Sequence, residues 1–227
     1  MPIIILLLVI VAIIFLPQWW AKNTFAKYST PLDHIQGTGG ELAQHLINRF
    51  EMTDVNVEET DEGNDHYDPD SKTVRLSPNN YHDKSLTAVA VATHEVGHAI
   101  QHHRKEAKLE LRSRLIKVSM KLEKVGSMIM MIMPVALVLT RSPAAGFIFF
   151  ATGFLTIAGS TVIHLVTLPV ELDASFGKAL PILKEGYIRE DEHHAVDQIL
   201  KAAAFTYVAA SLMSILNVWR WFALLRR

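Results

Sequence analysis

His94 and His98 stand four residues apart in "TAVAVATHEVGHAIQHH" (87–103), and Glu95 directly follows the first of them. On a helix this spacing puts two imidazoles one turn apart on the same face, where both can address one metal ion. Glu95 is displaced by one residue, which keeps it out of the ligand set but close to a water at an open metal position. A carboxylate placed so can take that water's proton and later deliver it to a leaving amine. The pattern His-Glu-x-x-His therefore reads as zinc hydrolase chemistry, with His94 and His98 as metal ligands and Glu95 as the catalytic acid/base. His102 continues the face at i+8, but three histidines at i, i+4 and i+8 are nearly collinear and surround a tetrahedral ion poorly. His102 and His103 are read as helix-end residues.

Two histidines do not complete a zinc site. The chain has no cysteine, so any further ligand is His, Asp or Glu, and disulfides or a thiol nucleophile do not arise. One known solution places Gly at the third and His at the sixth position after the second histidine. Here those positions hold Gln101 and Arg104, which excludes it. The other solution is a glutamate from a later helix. Glu171 in "TLPVELDASFGKAL" is the candidate, with Pro169 expected to start the helix that carries it.

Several elements must position these residues. Gly40 to Met52 has Leu42, Leu46, Ile47 and Phe50 in helical register and is expected to form a short amphipathic helix. "DVNVEET" and "KTVRLS" alternate as strands of a small hairpin or meander, separated by punctuation rich in Asp, Gly and Pro. Eight acids lie between Asp54 and Asp70, without the ligand spacing of a calcium loop, and are read as solvated. Ser85 is a plausible N-cap for the histidine helix. Arg104 to Lys124 then carries eight basic and three acidic residues beside a stripe of Leu111, Leu115, Val118, Leu122 and Val125. Such a helix either lies along an anionic leaflet or packs on the domain.

Half of the chain is hydrophobic, and the distribution is uneven. Four apolar runs stand out: Pro2 to Leu16, Val125 to Thr140, Ala144 to Leu168 and Ala202 to Val218. The third has the roughly 20 residues that a bilayer core requires. Trp19, Trp20, Trp219 and Trp221 stand at the ends of the first and last, where headgroup-level rings belong. Four spans are expected, the first as a retained anchor. The segments from Pro17 to Lys124 and from Pro169 to Lys201 then share one side and hold 18 of the 22 Lys and Arg. The positive-inside rule puts that side in the cytoplasm. Two crossings separate His98 from Glu171 and return the chain to the same side, so the topology permits the site. No nucleotide fingerprint appears, and the basic residues track a membrane boundary without an aromatic stacking platform, so nucleic acid is not an expected partner.

The expected architecture is a mainly α membrane protein with a small α+β zincin-like catalytic domain facing the cytoplasm. Its parts are a transmembrane anchor (1–20), the zincin-like domain with the basic helix (21–126) and a transmembrane hairpin (127–168). A return helix with the third ligand (169–201) and a C-terminal transmembrane or interfacial helix (202–227) follow.

"DHYDP" at Asp65 to Pro69, "KTVRLS" at Lys72 to Ser77, "AVAVATHEVGHAIQ" at Ala88 to Gln101 and "LPVELDAS" at Leu168 to Ser175 together resemble the YugP-like neutral zinc metallopeptidases of bacterial membranes. The resemblance extends over most of the chain. It implies a membrane-anchored, gluzincin-like peptidase with His94, His98 and Glu171 on Zn2+ and Glu95 as acid/base. More distantly the chain resembles membrane zinc peptidases of the HtpX and CAAX-processing type, whose later motif is E-x-x-x-D. Here Ser175 stands four residues after Glu171, with Asp173 only two after, so the role of that aspartate does not transfer.

The leading expectation is peptide-bond hydrolysis by a zinc-bound water that Glu95 activates. The substrate is a protein or peptide, with the lipid bilayer as surroundings, laid as an extra strand on "KTVRLS" as a sheet edge. Tyr187, Arg189, His193 and His194 are candidates for stabilising the oxyanion. The alternatives are a site-2-type intramembrane protease with Asp173 as third ligand, and a non-catalytic, zinc-stabilised membrane scaffold.

Overall fold

The computed structural model describes residues 2–205. The expected fourth span, from Ala202 to Val218, lies almost wholly outside the described residues. Among the described residues the chain is mostly helical with one three-stranded sheet. It divides into two compact units, one built on Trp19–Leu111 with 169–205, the other on Arg112–Leu168 with the residues up to Gln18. Each is described by itself.

In the first unit, α2 (Gly39–Arg49) starts at a capping box. Thr38 Oγ1 accepts from the Glu41 N–H at 3.2 Å, and Glu41 Oε2 accepts from the Thr38 N–H at 2.8 Å. Two otherwise unsatisfied helix-end donors are thereby bonded. The i, i+4, i+5 set Leu42, Leu46 and Ile47 is buried, as its register requires.

The sheet has the order β1-β3-β2, with β1 (Asn56–Glu59) parallel and β2 (His66–Asp68) antiparallel to β3 (Thr73–Leu76). β3 is therefore the central strand, and "KTVRLS" is not the edge that the alternation suggested. Burial explains the placement: three of the four residues of β3 are buried, whereas β1 is mostly exposed. The strand with the most apolar surface is the one flanked on both sides. Asp65 ties this sheet to the next turn. Its Oδ1 accepts from the Ser77 N–H at 2.7 Å, and its Oδ2 from Asn80 Nδ2 at 2.9 Å, across the start of α3 (Pro78–His82).

α4 (Leu86–His103) is the central helix of this unit, buried at every position from Leu86 to Gln101. Ser85 caps it, its Oγ accepting from the Ala88 N–H at 3.1 Å. Alanines at 88, 90, 92 and 99, all 0% exposed, let neighbours approach on every side. Leu46, Leu76, Ile100, Leu183, Ile199 and Leu200 close the core around it, and each buried side chain of this size contributes about 1.5–3 kcal/mol.

α1 (Pro2–Lys27), α5 (Ala107–Thr140) and α6 (Pro143–Leu172) are long helices. α5 joins the basic stretch and the second apolar run in one helix of 34 residues, so the expected boundary between 126 and 127 falls inside it. In the second unit α5 and α6 run antiparallel, with Met130 against Gly153 and Leu137 against Gly146. Val138, Leu139 and Phe147 are among the apolar side chains they leave exposed. Among the described residues one helix, Ala107–Thr140, is long and apolar enough to cross a membrane, and only 17% of its apolar window is buried.

α6 does not stop where expected. Pro169 was to open a new helix, but it lies inside α6, and Glu171 falls in the last turn of α6 and not in the first turn of a successor. A proline there removes one backbone hydrogen bond, while the turn that follows is held by packing against α4. That turn is a π-helix over Asp173–Ala179, seen in the Leu180 N–H bonding back to Ser175 O, and α7 (Leu180–Lys184) succeeds it. A final helical run, α8, covers 193–205.

Candidate metal centre

Where α4 crosses the π-helix, Gly97 meets the backbone of Ala174. A Cβ at Gly97 would lie 2.8 Å from Ala174 O, so only glycine permits this approach. The close crossing brings side chains on either side of Gly97 against those on either side of Ala174. His94 and His98 are each 2% exposed, Glu171 and Ser175 0%, and Glu95 7%.

The structure brings His94, His98 and Glu171 together. Glu171 Oε2 lies 3.1 Å from His98 Nε2 and 3.6 Å from His94 Nε2, and one ligand atom from each of the three falls within 4.8 Å of the others. Ligand atoms at zinc bond lengths in a tetrahedral shell are separated by about 3.3 Å, and the two measured separations bracket that value.

The far side of each ring sets its proton. Ser175 Oγ donates to Leu200 O at 3.1 Å and so accepts from His94 Nδ1 at 3.0 Å. His98 Nδ1 lies 3.0 Å from Gln101 Oε1, which can only accept. Each ring thus donates from Nδ1 to its outer partner, while each Nε2 is turned to Glu171 Oε2, the direction from which an ion would be held. This is the pairing that zinc-binding histidines make with their outer partners. Two imidazoles and one carboxylate, buried and backed in this way, fit a divalent zinc ion.

Asp173, the alternative third ligand, is engaged elsewhere. Its Oδ2 accepts from Gln101 Nε2 at 2.7 Å and from Lys178 Nζ at 2.8 Å. Burial pushes its carboxyl up, but these two donors outweigh it and hold it below the usual carboxylate range. For Lys178, burial works against the ammonium, while hydrogen bonds to Asp173 and Glu106 prevail and raise it. His102 is half-buried, and its Nδ1 meets the Tyr67 hydroxyl of β2 at 2.7 Å. Burial pushes that phenol up, so the hydroxyl keeps its proton.

The oxyanion candidates are distributed over other contacts. The Tyr187 hydroxyl is 2.8 Å from His45 Nε2 and receives Arg49 Nη1 at 3.4 Å, both from α2. His194 Nε2 meets Gln198 Nε2 at 3.0 Å, and the Arg189 N–H donates to Glu192 at 2.8 Å. The partners that orient the histidines, Gln101 and Ser175, carried no role in the sequence reading. The signal for Gln101 was its place three residues after His98, on the same helix face.

A buried His-His-Glu donor set, with a second glutamate beside the first histidine on the same helix, is the constellation of a zinc-dependent hydrolase. The chain belongs to the family described as "Putative neutral zinc metallopeptidase", whose model matches residues 3–226. It is 35% identical over 208 residues to the "Putative membrane protease YugP" of Bacillus subtilis (strain 168), across 91% of this chain and 88% of that protein. No solved structure matches it. Zinc is the metal of the family, and the donor set here suits it.

Proposed function

We propose that this protein is a membrane-anchored zinc metalloendopeptidase. The observation that carries the reading is the convergence of His94 Nε2, His98 Nε2 and Glu171 Oε2 in a buried site, with each ring's Nδ1 held by an outer partner. His94, His98 and Glu171 hold the ion. Zinc, when bound, supplies a Lewis acid that polarises a carbonyl and lowers the pKa of water towards ~7. Glu95, on α4 next to His94, takes the proton of the attacking water and hands it to the leaving amide nitrogen, which departs as an amine. The low exposure of all four side chains keeps bulk water from competing for that proton.

Glu171 is favoured over Asp173 as third ligand because the Asp173 carboxylate is already bonded to Gln101 and Lys178. This supports a gluzincin-like site over a site-2-type intramembrane protease. For the substrate, β2 is the better strand to extend, since it is an edge and Tyr67 ties it to α4 through His102. An extended peptide or protein segment added there is the proposed substrate form.

Membrane attachment is supported by the exposed apolar surface of Ala107–Thr140 and by the B. subtilis relative being called a membrane protease. α1, the apolar part of α5 and α6 are proposed to cross the bilayer. The distribution of Lys and Arg favours a catalytic unit on the cytoplasmic side.

The test is zinc content and hydrolysis of a casein-like protein by the purified chain, with Glu95→Gln as control. Stoichiometric zinc in both, with activity in the wild type alone, is expected. Equal hydrolysis by both would remove the peptidase reading and leave a zinc-stabilised scaffold.

A further inference from the structure

Gln101 is 1% exposed and lies one turn beyond His98 on α4. Its amide nitrogen faces two acceptors, Val170 O at 3.1 Å and Asp173 Oδ2 at 2.7 Å. Neither a carbonyl nor an ionised carboxylate can donate, so this end of the amide must be the NH2 group. The oxygen is then the end that faces His98 Nδ1 at 3.0 Å. An amide oxygen has only lone pairs to offer, so the imidazole nitrogen it meets must carry the hydrogen.

Asp173 is itself fixed. Lys178 Nζ reaches its Oδ2 at 2.8 Å and Glu106 Oε1 at 3.2 Å. Gly177 leaves the space it occupies, since a Cβ there would collide with Asp173 Oδ1. The order of dependence runs from Lys178 to Asp173, to the Gln101 amide, to the His98 ring. His94 is treated differently. Its partner, the Ser175 hydroxyl, can donate or accept by rotating, so nothing beyond the bond to Leu200 O forbids the other tautomer.

We infer that Gln101 and Asp173 are positioning residues that lock His98 in its Nδ1–H tautomer, reserving Nε2 for the metal, and that Asp173 acts on the centre only through Gln101. The inference rests on the zinc reading of His94, His98 and Glu171. It gives Asp173 a task that its place two residues after Glu171 does not suggest.

The test uses the full chain in detergent with Gln101→Met, which keeps the side chain's length but has no amide to bridge Asp173 and His98, and with Asp173→Ala at a partly exposed position. Two-bond 15N–1H spectra of the zinc-loaded protein report which ring nitrogen carries the hydrogen and whether that hydrogen is bonded. Wild-type His98 is expected to show a hydrogen-bonded Nδ1–H, and Gln101→Met to lose that bond. Zinc affinity from chelator competition should fall roughly 10- to 100-fold in Gln101→Met. It should fall less in Asp173→Ala, where Val170 O still orients the amide. The double variant should bind no worse than Gln101→Met alone, because residues acting in series are not additive. Losses that multiply in the double variant, or an unchanged Nδ1–H signal in Gln101→Met, would overturn the inference. A wild type that binds no zinc would instead overturn the metal reading on which the inference rests.

Discussion

Gly97 rests on the carbonyl of Ala174 so closely that a methyl group at position 97 would stand 2.8 Å from the oxygen and 3.3 Å from Ala174 Cα. Both neighbours are backbone and cannot turn aside. Gly97→Ala should therefore push α4 from the π-helix and draw Glu171 away from the two imidazoles. The expected cost is about 1–3 kcal/mol of stability and at least a ~10-fold loss of zinc affinity. Thermal melting and zinc titration read the two effects. Wild-type values in both would show that the crossing is looser than the structure indicates.

Ser175→Ala removes the acceptor of His94 Nδ1–H and the donor to Leu200 O, both buried. Leaving the buried ring N–H without a partner costs about 1–3 kcal/mol before any relaxation. Zinc affinity should drop by about 10-fold, with the zinc that remains still supporting Glu95-dependent hydrolysis. A variant that binds zinc normally would argue that Ser175 is only a packing residue.

Asp68 offers a pH test away from the centre. The Ser71 hydroxyl, then the Arg75 guanidinium and the backbone N–H groups of Asp70 and Ser71, hold its carboxyl down to about 2 against the opposing effect of burial. A carboxyl depressed on folding stabilises the fold above its unfolded pKa near 4 and loses that contribution as pH falls towards 2. Asp68→Asn should thus be less stable than wild type at neutral pH, by an order of 1 kcal/mol once solvent screening is allowed for. The difference should shrink between pH 4 and pH 2. A constant difference across that window would assign the stabilisation to something other than the ionised form.

The absence of native cysteine makes topology directly measurable. In the proposed orientation Ser142→Cys, between α5 and α6, reacts with a membrane-impermeant maleimide on intact cells. Asp70→Cys, beside the sheet, reacts only after the membrane is opened. The reverse pattern would place the catalytic unit outside.

The candidate metal centre is legible in the sequence to the extent that its residues obey helical spacing. His94 and His98 follow from period, and Glu171 from the need for a third ligand on a later helix. Gln101 was read only as a position where a glycine was missing, because a glutamine on a buried helix face has no signature until its three partners are visible. Asp173 looked like a competing ligand because the π-helix, which sequence does not announce, follows Glu171 at once. The sheet failed for a related reason. β2 spans three residues inside an acidic, turn-rich stretch, too short to alternate recognisably, and without it β3 looks like an edge. Pro169 invited a helix start, while the helix already running through it was long enough to absorb one missing hydrogen bond.

The unbroken course of α5 also bears on where the protein sits in a lipid film. Its 34 residues make a rod about 51 Å long, against a hydrocarbon layer of about 30 Å. If the apolar half crosses, roughly 20 Å emerges with the basic residues on it, and these cannot lie flat without a break that the helix does not have. Lys121 and Lys124 then stand at the collar of the rod. Drawing either into the bilayer centre would cost about 2.5–3.5 kcal/mol, so a helix crossing in this way would resist being drawn deeper into the lipid.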